Sequence, residues 1–183
     1  MIDLPSDIAK AEIAQMPVDL FGGRIIVIHS KADVDKAVSY LRNFPIVGVD
    51  TETRPSFAKG KSYEVALLQV STEDTCFLFR LNYIGMPDAL VELLQDERML
   101  KVGLSLRDDL QGLNRKHNFE PGGFLDLQHY VKEMGIEAQS LQKIYALLFV
   151  NQVWSPTISC MDISLKVKQN TLPVSIMPEN GFR

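Results

Sequence analysis

The stretch VGVDTET, residues 47–53, is the tightest constraint this chain carries. It ends an apolar run, FPIVGVD at 44–50, continuous enough to predict a strand buried on both faces. Such a strand needs partners on both edges and a layer above and below. At its carboxyl end stand Asp50 and Glu52, two positions apart, so in strand geometry their side chains share a face. Two carboxylates so placed repel. Either the strand has already left the core, or positive charge sits between them.

The flanking segments supply the layers. RIIVIH at 24–29 predicts a β-branched strand, followed by a helix from Lys31 to Leu41 with Val34, Ala37, Val38 and Leu41 on one face and Ser30 as N-cap. After a polar loop, RPSFAKGKSY, the runs EVALLQVST and TCFLFRL are joined by the short EDT of a hairpin. A helix near Pro87–Gln95 turns Leu90, Leu93 and Leu94 inward, with Pro87 in its first turn. MLKVGLS at 99–105 predicts a further strand, and LRDDLQGLNRKH a helix with Leu106, Leu110 and Leu113 in register. PGG at 121–123 breaks the chain before two more helical patterns, near 126–134 and 140–149. Strands that meander and then alternate with helices predict an α/β sandwich around a mixed sheet.

The segmentation is residues 1–19 as an N-terminal extension, 20–149 as the domain and 150–183 as an irregular tail. The tail holds Pro156, Pro173 and Pro178 and no sustained 3.6 or 2.0 periodicity. With 183 residues and 46% hydrophobic residues, the chain suits one globular domain. A net charge of −4 argues against coating nucleic acid by bulk electrostatics. It leaves room for an enzyme that holds a phosphate through metal ions. Cys76 and Cys160 form neither a disulfide framework nor a zinc spacing, no run is long enough to span a bilayer, and the N-terminus lacks a signal-peptide pattern. A cytoplasmic protein is expected. Gly22–Gly23 precede a strand rather than follow one, so no nucleotide cofactor is expected. His29, His117 and His129 are too scattered for a ligand set, and no serine has a nucleophile-elbow context.

The carboxylates carry the chemistry. Mixed α/β sheets place ligands at the carboxyl ends of strands. Asp50 and Glu52 lie at one such end, and Asp108–Asp109 lie one helical turn beyond the next buried strand. Carboxylate clusters of this kind hold two Mg²⁺ or Mn²⁺ ions for phosphodiester cleavage, and oxygen-only donors select hard cations. Turn formation, helix capping or a solvated acidic face is the simpler explanation of each carboxylate taken alone.

Taken together, VGVDTET resembles the first motif, and KVGLSLRDDLQGL the second, of the DEDD superfamily of 3′–5′ exonucleases. YEVALLQVST, TCFLFRL and GFLDLQHYVKEMG are similar to the RNase D and Werner-type branch, over roughly residues 20–149. The resemblance implies an RNase H-like fold, with a mixed β-sheet flanked by helices. It implies two Mg²⁺ or Mn²⁺ ions on Asp50, Glu52 and Asp109, with Asp108 toward solvent, and a nucleic acid with a free 3′ end as partner. Thr51, Thr53 and Arg54 would approach the substrate, with Lys59 and Lys61 nearby, and Asp126 would be structural or capping.

The family's third motif places Tyr or His four residues before a last Asp, and it is missing. After Tyr145 there is no further Tyr or His, and the only Asp is Asp162. Read one frame over, the degenerate codons of SLKVKQNTLPVS permit SESKTKYAA and a later Asp, so a shifted reading frame is one origin for the tail. Two rivals to an active nuclease follow: an RNase H-like module that binds nucleic acid or a protein partner without cutting, and a truncated fragment with an exposed groove.

Overall fold

The structure, a computed structural model, describes residues 5–19, 21–53, 63–148 and 153–154. In chain order the elements are α1 (Lys10–Ile13), β1 (Val18–Asp19), β2 (Arg24–Ile28), α2 (Lys31–Leu41), β3 (Ile46–Thr53), β4 (Val65–Ser71), β5 (Thr75–Arg80) and α3 (Leu81–Ile84). There follow α4 (Asp88–Gln95), β6 (Leu100–Gly103), α5 (Leu106–Lys116), β7 (Phe124–Asp126), α6 (Leu127–Glu133), α7 (Leu141–Leu148) and β8 (Val153–Trp154).

Six strands form one mixed sheet in the order β2-β5-β4-β3-β6-β7. The meander β3-β4-β5 is antiparallel, while β2 joins β5, β6 joins β3 and β7 joins β6, all in parallel. β3 is therefore central and paired on both edges, as its continuous apolar run requires. The β4–β5 turn is held by Asp74, whose carboxylate accepts from Tyr40 (3.0 Å), Thr72 (3.1 Å) and Thr75 (3.0 Å).

Alternation along the strands divides the core. Val47 and Val49 join Leu68, Val70, Phe77 and Phe79 beneath α2, α4 and α5. On the opposite face Ile46, Leu100, Val102 and Leu125 pack with α6 and α7 around the fully buried Tyr145. Lys101 is 1% exposed, yet its ammonium donates to the carbonyls of Asp96, Met99 (3.1 Å) and Gly122 (2.9 Å). Burial pushes its pKa down to about 8, so with all three N–H groups paired it stays charged at neutral pH.

Several local expectations change. Ser30 stands at the N-cap of α2, but its side chain accepts from no helix N–H and its hydroxyl donates to Asp33 (2.6 Å). Pro87 lies one residue before α4, where its carbonyl accepts from Leu90 and Val91. β7, only three residues long, had no periodicity to reveal it; its pairing with β6 creates it. Residues 6–13 of the N-terminal extension are docked. The Ser6 carbonyl accepts from Glu137 (2.8 Å), Asp7 pairs with Lys143 (2.7 Å), and Ile13 packs on Ala146. β1 pairs in parallel with β8, two residues of the segment read as irregular. Among the described residues no helix is long and apolar enough to cross a membrane.

Candidate active site

The site is assembled where β3 ends and α5 begins. β3 and β6 run parallel, so the loop after β6 delivers α5 beside the carboxyl end of β3. Gly103 makes the approach close: a Cβ there would run into Leu106 and come within 2.8 Å of the Val49 carbonyl. Ser105 turns the chain in the left-handed region (φ 57°). One carboxylate holds that turn: Asp126 accepts from the backbone N–H of Ser105 (3.0 Å) and of Leu106 (2.9 Å), and also from Gln128 (3.0 Å) at the start of α6. Asp126 thus caps two helices, the capping role expected of it.

Along β3, Asp50 and Glu52 fall on the face opposite Val47, Val49 and Thr51. Asp50 is half-buried and stands opposite Gln69; Glu52 is exposed and stands opposite Leu67. Asp109, half-buried in the first turn of α5, accepts a hydrogen bond from the hydroxyl of Thr51. Asp108 is exposed. The Thr51 hydroxyl therefore positions Asp109. Thr53 is exposed beyond a bulge in the β3–β4 pairing. Arg54, Lys59, Lys61, Cys160 and the segment of the missing third motif lie outside the described residues.

The charges of Asp50 and Glu52 reach Asp109. Burial raises the Asp109 pKa to about 6; the Thr51 hydroxyl opposes this, while the charges of Asp50, Asp108 and Glu52 add to it. The Glu52 pKa is also raised, first by partial desolvation of a side chain that is still exposed to solvent and then by Asp50. This is an electronegative, all-oxygen locus whose donor chemistry fits a hard divalent cation. Among the described residues, no three His, Cys, Asp or Glu side chains close into a metal-ligand cluster. By contrast Cys76 is a buried free thiol whose pKa burial pushes up to about 11, and it carries no chemistry.

A family model described as 3′–5′ exonuclease matches residues 25–162. The chain belongs to this 3′–5′ exonuclease family. A 3′–5′ exonuclease of Arabidopsis thaliana is 29% identical over 114 residues, 56% of this chain and 40% of the relative. Exonuclease 3′-5′ domain-containing protein 2 of Drosophila melanogaster is 30% identical over 129 residues, 66% of this chain and 22% of the relative. The chain thus spans less than half the length of these relatives. Among solved structures, the EXD2 exonuclease domain soaked in Mn is 25% identical with TM-score 0.54, covering 68% of each chain. Trypanosoma brucei RNase D, 24% identical with TM-score 0.54 over 61% of this chain and 40% of that one, shares the fold. The sheet and its flanking helices are RNase H-like.

Sequence reasoning did not reach the Thr51–Asp109 contact. Its partners are 58 positions apart and no local pattern links them.

Proposed function

We propose that the chain hydrolyses terminal phosphodiesters from the 3′ end of a nucleic acid, releasing nucleoside 5′-monophosphates. The observation that carries this reading is the approach of Asp50, Glu52 and Asp109 at the end of β3, near enough that the charges of Asp50 and Glu52 add to the raised Asp109 pKa. Family membership supplies the reaction class. Mg²⁺ or Mn²⁺ would be held by these carboxylates, and when bound would lower the pKa of water and offset charge on the leaving oxygen.

The chain's own residues prepare the site. Thr51 orients the Asp109 carboxylate, Asp126 holds the turn that brings α5 to β3, and Gly103 lets the helix close in. Asp50 and Glu52 present their charge along the sheet face that a nucleic-acid end would approach.

The test is degradation of a 5′-labelled single-stranded oligonucleotide in Mn²⁺, beside an Asp50→Ala variant. A 3′-shortening ladder that the substitution abolishes is the expected result. Intact substrate from folded protein in Mn²⁺ would overturn hydrolysis. A second reading, a module that grips nucleic acid without cutting it, draws support from the missing Tyr/His–Asp motif and from the engagement of Asp109 by Thr51. Tight binding with no ladder would select it.

A further inference from the structure

The strand register places a second set of groups on the same sheet face as Asp50 and Glu52. Glu52 stands opposite Leu67, and Leu67 opposite Arg80, so the three form one row across β3, β4 and β5. The adjacent row runs Asp50, Gln69, Leu78 and Val27. Cross-strand partners project to the same side, and two strand spacings put the Arg80 backbone about 10 Å from that of Glu52. An arginine side chain spans much of that gap, and the half-buried Leu67 between them forms an apolar floor.

Arg80 does not lie loose on this floor. It is the last residue of β5, and α3 begins immediately after it, which brings Tyr83 under the guanidinium at 4.2 Å from ring centroid to Cζ. Tyr83 is 63% exposed, and Arg80 is exposed as well. Among the described residues Arg80 enters no ion pair, whereas Arg42, Arg98, Lys116 and Lys143 are each matched with a carboxylate. A guanidinium placed over an aromatic ring still has N–H groups to offer a phosphate, and the pair presents π-surface to a base. Arginine and exposed tyrosine are the combination that tracks single strands, charge on the backbone and π-surface on the bases.

We propose that Arg80 and Tyr83 form a binding subsite for a single-stranded nucleic acid. It takes the phosphate and base just upstream of the nucleotide delivered to Asp50 and Glu52. The subsite rests on the exonuclease reading and deepens it. It gives an acidic chain a local contact for a polyanion, and it favours an unpaired 3′ end, whose bases are free to stack.

The experiment uses the full chain and a 5′-fluorescein single-stranded oligonucleotide whose 3′-terminal linkages are phosphorothioates, which slow hydrolysis. Anisotropy gives Kd over a series of salt concentrations. Arg80→Ala is expected to weaken binding about tenfold and to reduce the slope of log Kd against log salt by about 0.7, the value for one single-strand phosphate. Arg80→Lys should keep that slope while losing part of the affinity, because an ammonium lacks the guanidinium's bidentate N–H fork and planar π-face. Tyr83→Ala should weaken binding about tenfold with the slope unchanged, as expected for loss of stacking. Both side chains are exposed, and unaltered circular dichroism will show that the variants fold. If the wild-type chain binds and Arg80→Ala binds equally with the same slope, the subsite is overturned and the exonuclease reading stands. If the wild-type chain binds no oligonucleotide, both fall.

Discussion

At the residue scale, Asp109 carries a cost that metal-free protein cannot relieve. Its folded pKa of about 6 lies above the ordinary carboxylate value of 3.8. Folding therefore binds the proton more tightly, and the ionised side chain destabilises the fold. The penalty is absent below about pH 4, grows as pH rises through 6, and is complete above it. Asp109→Asn keeps an oxygen for the Thr51 hydroxyl and removes the charge. In metal-free protein at pH 7.5 it should raise stability by about 1–2 kcal/mol, a gain that disappears at pH 4. Urea unfolding at the two pH values measures this. A variant no more stable at pH 7.5 would show that burial and neighbouring charge do not strain this carboxylate. Loss of the ladder in the same variant would mark Asp109 as part of the chemistry.

At the element scale, two helices hang on one side chain. Asp126→Ala leaves the backbone N–H groups of Ser105, Leu106 and Gln128 without their acceptor and uncaps α5 and α6 together. Since a lost cap costs about 1 kcal/mol, a double cap should cost about 2–3 kcal/mol in denaturant unfolding. Activity should fall further than stability, because α5 carries Asp109. Gly103→Ala tests the close approach from the other side. The added methyl must displace Leu106 or the Val49 carbonyl, and overpacking of this kind costs about 1–3 kcal/mol. A shifted α5 would also part Asp109 from Thr51. Wild-type stability and cleavage in Gly103→Ala would mean that α5 has room to move, contrary to the packing.

At the scale of the whole molecule, residues 6–13 are part of the fold. Ile13 is 5% exposed against α7, and the Asp7–Lys143 pair and the Ser6 carbonyl tie the same segment down. Removing residues 1–19 exposes that face of α7. It should cost about 3 kcal/mol, most of it from Ile13, since the partly exposed ion pair adds little. Thermal unfolding of the truncated chain checks this, and an unchanged Tm would show that the docking contributes nothing.

Much of this was legible along the chain. The helix at 31–41, the β4–β5 hairpin and the central strand ending in Asp50 and Glu52 are set by periodicity and turn chemistry, which act over a few residues. Motif resemblance singled out Asp109 beside Asp108, and capping was the expectation for Asp126. What lay beyond sequence were pairings between distant positions: Thr51 with Asp109, Asp126 with Ser105, Lys101 with three carbonyls, and the N-terminal segment with α7. β7 belongs with them, being too short to announce itself and existing only because β6 offers an edge. The row from Glu52 to Arg80 is of the same kind, because strand register depends on how the strands meet as well as on what each contains. Local free energies are written in neighbouring residues and specified the longer elements and the acidic motif. Only the tertiary structure, by closing loops of tens of residues, decided which side chain orients which carboxylate and which surface lies beside it.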